Sequence, residues 1–76
     1  MKIRYFEDTD TALVEIGRAD VAETRELSED VYLDLDQAGR VVSITIEHAS
    51  QHGDLSEIVF QRVTDSQPAV PNEPAA

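Results

Sequence analysis

The stretch Val31-Tyr32-Leu33-Asp34-Leu35-Asp36-Gln37-Ala38-Gly39-Arg40-Val41-Val42-Ser43-Ile44-Thr45-Ile46 decides the fold. Its first six residues alternate: Val31, Leu33 and Leu35 point one way, and Tyr32, Asp34 and Asp36 the other. That is the pattern of a half-buried strand. Gln37-Ala38-Gly39-Arg40 reads as a turn, with Gly39 free to take positive φ and Asp36 placed to cap it. Val41 to Ile46 then returns as the second arm of a hairpin. Two rules disagree about its register. A three-residue loop with a glycine bulge at Gly39 puts Val41, Ser43 and Thr45 beside the leucines. The hydrophobic pattern instead puts Val42, Ile44 and Ile46 there. A one-residue slip inverts every side chain, and burying Ser43 and Thr45 is the costlier outcome. The reading therefore favours a four-residue loop or a bulge, with Val42, Ile44 and Ile46 inward.

Working outward, Lys2 to Phe6 reads as a first strand, and Glu7-Asp8-Thr9-Asp10 as a polar turn. Thr11 to Ile16 alternates Ala12, Val14 and Ile16 against Leu13 and Glu15, and Gly17 breaks the run. Val21 to Leu27 is a charged strand suited to a solvated edge, and Ser28-Glu29-Asp30 is a short turn. Beyond Glu47, His48 to Gly53 is a connector that Asp54 ends as a possible cap. Leu55, Ile58, Val59 and Arg62 then fall at helical spacing, although residues 57–63 also have strand propensity. A single-layer sheet needs a cover for its apolar face, which favours the helix. The expected fold is α+β: a small antiparallel meander sheet of about five strands with a short C-terminal helix packed on one face. The domain is expected over 1–63. Residues 64–76 hold three prolines and one large apolar side chain, Val70, and read as a disordered, proline-containing acidic tail. Its prolines recur every third residue, but no Lys or Arg flanks them to orient an SH3-type ligand.

The chain has 76 residues, no cysteine, and 16 acidic against 6 basic side chains, for a formal net charge of −10. A core this small leaves little margin of stability, and disulfides cannot supply more. The charge repels phosphate backbones and anionic membranes, so neither nucleic acid nor membrane is expected as a partner. The basic residues Lys2, Arg4, Arg18, Arg25, Arg40 and Arg62 are dispersed. No segment is apolar enough to span a bilayer, the N-terminus does not read as a signal peptide, and the missing cysteines fit a cytoplasmic protein.

The order of pieces closely resembles the DUF2283 family of small bacterial proteins of unknown function. The resemblance covers roughly residues 1–50, from the Met-Lys-Ile-x-Tyr start through Glu7 to Leu13 and Val21 to Leu27. It is most specific in the Leu33-to-Val42 hairpin and the Ala49-Ser50 pair. It implies a stand-alone bacterial mini-domain with no catalytic residues to carry over. Some members are thought to sit beside small toxin-like proteins, which implies an antitoxin-like role.

Candidate sites are few. Asp34 and Asp36, with Tyr32 in line, could do acid–base work or hold a hard cation. The plainer reading makes them the solvated side of an amphipathic strand. Asp8 and Asp10 lack the glycine and glutamate spacing of a calcium loop. His48 and His52, four apart, with Asp54 as a third donor, could form a zinc or small-ligand site, although Gly53 makes a continuous helix there doubtful. The chain has no nucleotide or nucleophile motif, and no cofactor or enzymatic activity is implied. The expected function is that of a small acidic, non-enzymatic protein-binding module, in antitoxin-like form an inhibitor of a small basic protein. Glu23, Glu26, Glu29, Asp30, Asp34 and Asp36 form the expected contact surface. The alternatives are a self-associating structural domain, hence a homo-oligomer, or a minor metal- or ligand-binding protein.

Overall fold

In a computed structural model that describes residues 1–64, five strands form one antiparallel sheet. They are β1 (Lys2–Phe6), β2 (Thr11–Glu15), β3 (Glu23–Glu26), β4 (Val31–Leu35) and β5 (Val41–Ile46), followed by one 3-10 turn, Ala49–Gln51. Their spatial order is β1-β2-β5-β4-β3, which corrects the expected meander. After β2 the chain crosses to the far edge, and β5 returns to the centre between β2 and β4. The physical reason lies in composition. β5, Val-Val-Ser-Ile-Thr-Ile, is rich in β-branched residues and gains most from a neighbour on each side. β3, Glu-Thr-Arg-Glu, keeps its charges in water only at an edge.

Both devices in the central hairpin operate together. Asp36 N–H donates to Arg40 O at 2.9 Å, so Gln37, Ala38 and Gly39 make a three-residue loop, and Gly39 sits at φ +84°. The Asp36 carboxylate accepts the N–H groups of Ala38 and Arg40, each at 2.9 Å, which closes the turn. The loop sets Leu35 opposite Val41, and a register shift next to it sets Asp34 opposite Ser43. Val42 is the extra residue that absorbs the shift, and it is buried. Beyond the bulge, Leu33 pairs with Ile44 and Val31 with Ile46, so the expected inward set is the observed one.

Cross-strand register divides the sheet into two faces. One carries Ile3, Val14, Ile44 and Leu33 in a row, with Tyr5, Ala12, Ile46 and Val31 beside it. The other carries Lys2, Glu15, Ser43, Asp34 and Thr24 in one row and Arg4, Leu13, Thr45, Tyr32 and Glu26 in the next.

The expected covering helix is absent. Residues 57–63 form neither helix nor strand, and Ile58, Val59, Phe60 and Val63 are exposed. An isolated helix of fewer than about 12 residues is marginal in water, and β-branched Ile58, Val59 and Val63 weaken it further. The fold is therefore a single open β-layer rather than α+β. Among the described residues the buried apolar side chains are only Ala12, Leu35, Val42 and Ala49, and no large side chain is fully buried. No helix among these residues is long and apolar enough to cross a membrane. Apart from Thr64, the expected tail lies outside the described residues.

The end of β5 is pinned from both sides. The antiparallel order brings the turn before β2 and the turn before β4 to the same end as the β5 exit. Asp10, at φ +55°, accepts the Ala49 N–H on its backbone carbonyl at 2.9 Å. Its carboxylate accepts the Ser50 hydroxyl at 2.7 Å and the Tyr5 phenol at 2.5 Å. These bonds give the Ala-Ser pair and the turn aspartate a structural role in holding the connector.

Candidate functional site: an acidic patch around Tyr32

Tyr32 sits half-buried on the polar face, opposite Glu26 on β3 and Thr45 on β5. Period-two alternation carries Ser43 and Thr45 of β5 on to Glu47, which falls on the same face just past the strand. The turn before β4 adds Glu29 and Asp30. The Tyr32 hydroxyl lies 3.5 Å from the Glu29 carbonyl oxygen, and the charge of Glu47 first, then burial, then the charges of Glu26, Asp30 and Glu29 push it above the usual phenol range. None of Glu26, Glu29 and Glu47 forms an ion pair within the described residues, whereas Arg4, Arg25 and Arg40 are engaged with Glu15, Glu23 and Asp36. An aromatic face framed by unpaired carboxylates suits a cationic side chain.

The six expected contact residues are not one surface. Glu26, Glu29 and Asp30 belong to the patch. Glu23 lies on the apolar face, beside Leu35, and pairs at 3.1 Å with Arg25 of its own strand rather than across the sheet. The Asp34 carboxylate accepts the Thr24 hydroxyl at 2.6 Å and the Ser43 hydroxyl at 2.7 Å. Asp36 is spent on its turn, whose N–H groups and Arg40 hold its carboxyl below the usual range. Asp34 and Asp36 thus have structural partners, which answers the reading of them as a working pair. Sequence reasoning missed Tyr32 and Glu47 as members of the site. The period-two run through Ser43 and Thr45 was the signal that could have found Glu47.

His48 and His52 come together, but on a different acid. The Nδ1 of His48 lies 3.0 Å and the Nε2 of His52 2.9 Å from the two oxygens of Asp30. Asp54 turns away to accept the Ser56 hydroxyl at 2.6 Å. Hydrogen bonds from His52 and His48 lower the Asp30 carboxyl, and the Asp30 carboxylate raises His48. His48 itself stands at φ +52°, at the start of the 3-10 turn. Among the described residues no group of three or more His, Cys, Asp or Glu is arranged to hold a metal ion. The expected donor set of His48, His52 and Asp54 is therefore corrected to a histidine pair on Asp30.

A concavity of about 560 Å³ is an open depression at the other end of the sheet. It lies between the β2–β3 crossing, Ala19 to Ala22, and the hairpin turn at Asp36 to Arg40. A family model described as a protein of unknown function, DUF2283, matches residues 2–50. No curated protein and no solved structure matches the chain.

Proposed function

This chain belongs to the DUF2283 family of proteins of unknown function, and from its geometry we propose that it is a non-enzymatic protein-binding module for a cationic partner. The observation that carries the reading is the Tyr32 patch. Glu26 stands opposite the half-buried Tyr32 on the polar face, Glu29 and Glu47 bear on the same phenol, and among the described residues none of the three has a cation paired with it. A lysine or arginine of the partner would lie against the ring and among these carboxylates, gaining charge-assisted contacts where the free protein has only repulsion. The net charge of −10 would speed the approach of such a partner. Antitoxin-like inhibition of a small basic protein is the finer form of the same reading.

The test separates a site from mere net charge. Binding of a lysine- and arginine-rich peptide is followed by fluorescence anisotropy at low and high salt. One variant carries Glu26→Gln, Glu29→Gln and Glu47→Gln. A control removes the same charge elsewhere, through Glu7→Gln, Asp8→Asn and Asp20→Asn. The patch variant is expected to lose most of the affinity and most of the salt dependence, while the control keeps both. Equal losses in the two variants would reduce the effect to bulk charge and end the reading.

A further inference from the structure

We infer that the apolar face of the sheet is covered by a second copy of the same face, in a two-layered homodimer. This goes beyond the cationic-partner reading and does not depend on it, because it uses the opposite side of the sheet.

The single layer lacks what a folded domain needs. Sheets are stable when their apolar face meets another layer, and among the described residues no strand or α-helix forms a second layer on this one. Val14, Ile44, Ile46, Val31 and Leu33 stay half-buried at its centre, and Ile3 on the edge strand is 47% exposed. Residues 65–76 hold only Val70 as a large apolar side chain.

Charge selects the occupant. The molecule as a whole repels its own copies, but this face is the one where two copies meet the least repulsion, its carboxylates being Glu23 at one edge and Asp10, which accepts the Tyr5 hydroxyl, at one end. Its only charged strand residues are Glu23 and Arg25, at the β3 edge, and they neutralise each other. A cationic partner gains nothing there. A neutral branched-aliphatic surface of the same shape does, and a second copy supplies it through a two-fold axis. Two such sheets would pack face to face about 10 Å apart with aligned strands.

The area is sufficient with one addition. Five strands spaced by about 4.8 Å and about five residues long at 3.4 Å each give roughly 400 Å² per copy. Two faces thus bury about 800 Å², short of the roughly 1,200 Å² at which stable interfaces begin. Ile58, Val59, Phe60 and Val63, all more than half exposed in the single chain, are the further apolar surface whose burial on pairing would make up the difference.

Sedimentation equilibrium of the full chain over a range of concentrations tests this, with Ile3→Glu and Phe6→Glu as a matched pair. Both positions lie on β1 and are similarly exposed, at 47% and 42%, but they face opposite ways. Circular dichroism confirms that each variant is folded. The expected result is a wild-type mass twice the 8.4 kDa of the chain. The dimer dissociation constant should rise at least about tenfold in Ile3→Glu and stay near wild type in Phe6→Glu. A wild-type monomer at every concentration overturns the inference. A dimer weakened by Phe6→Glu and not by Ile3→Glu overturns it as well.

Discussion

The Ser43 hydroxyl donates to the Asp34 carboxylate at 2.7 Å, across the two strands that form the centre of the central hairpin. Ser43 is one of the few residues under a tenth exposed, and this bond is why a hydroxyl can be buried there. It also fixes the direction of the whole strand, since the polar pair on one face sends Val42 and Ile44 to the other. Replacing Ser43 with Ala should cost about 1 kcal/mol, which for a domain of this size lowers Tm by about 4–8 °C. Thermal denaturation followed by circular dichroism reads this directly. An unchanged Tm would deny the bond a role.

At the hairpin tip, Gly39 occupies φ +84° with no heavy atom within 4 Å of an added Cβ. Gly39→Ala therefore meets backbone strain and no clash. The expected loss is about 1–2 kcal/mol by denaturant titration, with the m-value unchanged. Gly39→Asn should recover part of it, because asparagine tolerates the left-handed region.

These two positions show what could be read from the sequence and what could not. The alternation of Val31 to Ile46, the capping role of Asp36 and the glycine turn are local, and each follows from residues a few places apart. The register conflict was legible as a conflict. Its resolution, a three-residue loop followed at once by a bulge at Val42, needs the geometry of both strands. The strand order was hidden because nothing local says that β5 pairs with β2, some thirty residues upstream. The missing helix was misjudged for a related reason: the argument for it rested on the need for a cover, and the need does not specify that the cover comes from the same chain. In the site, Glu26, Glu29 and Asp30 were legible as acids near a turn. Tyr32 was read only as standing in line with Asp34 and Asp36, and Asp30 was not linked to the two histidines because the pairing crosses 18 and 22 positions.

The contact between His48 and Asp30 makes stability depend on pH. His48 is raised by its bond to Asp30 and by the charges of Asp30, Glu47 and Asp10, so its contribution is complete below the ordinary histidine value and is lost as pH rises through the raised one. Asp30 is lowered, so its contribution is complete above the ordinary carboxylate value and is lost as pH falls through the lowered one. The shared contribution is greatest between about pH 4 and pH 6.5. The Tm difference between the wild type and His48→Gln should peak in that window and shrink toward pH 8. A difference independent of pH would assign His48 a purely steric role.

The Tyr32 patch carries its own signature. Both tyrosines should titrate above the ordinary phenol value, Tyr5 chiefly through its hydrogen bond to Asp10 and Tyr32 chiefly through Glu47. Ultraviolet titration of Glu47→Gln should bring one phenol back toward the ordinary range and leave the other raised. No change in either phenol would place Glu47 away from the ring.

The central claim is that the two faces of one sheet have different jobs, the apolar one for a second copy and the polar one for a cation. Methyl-resolved NMR spectra recorded on serial dilution test it most directly. The methyl signals of Val14, Leu33 and Ile44 should move together as the protein is diluted, while those of Leu13, an apolar residue on the polar face, stay fixed. Movement of Leu13 with Val14, Leu33 and Ile44 unmoved would contradict the account.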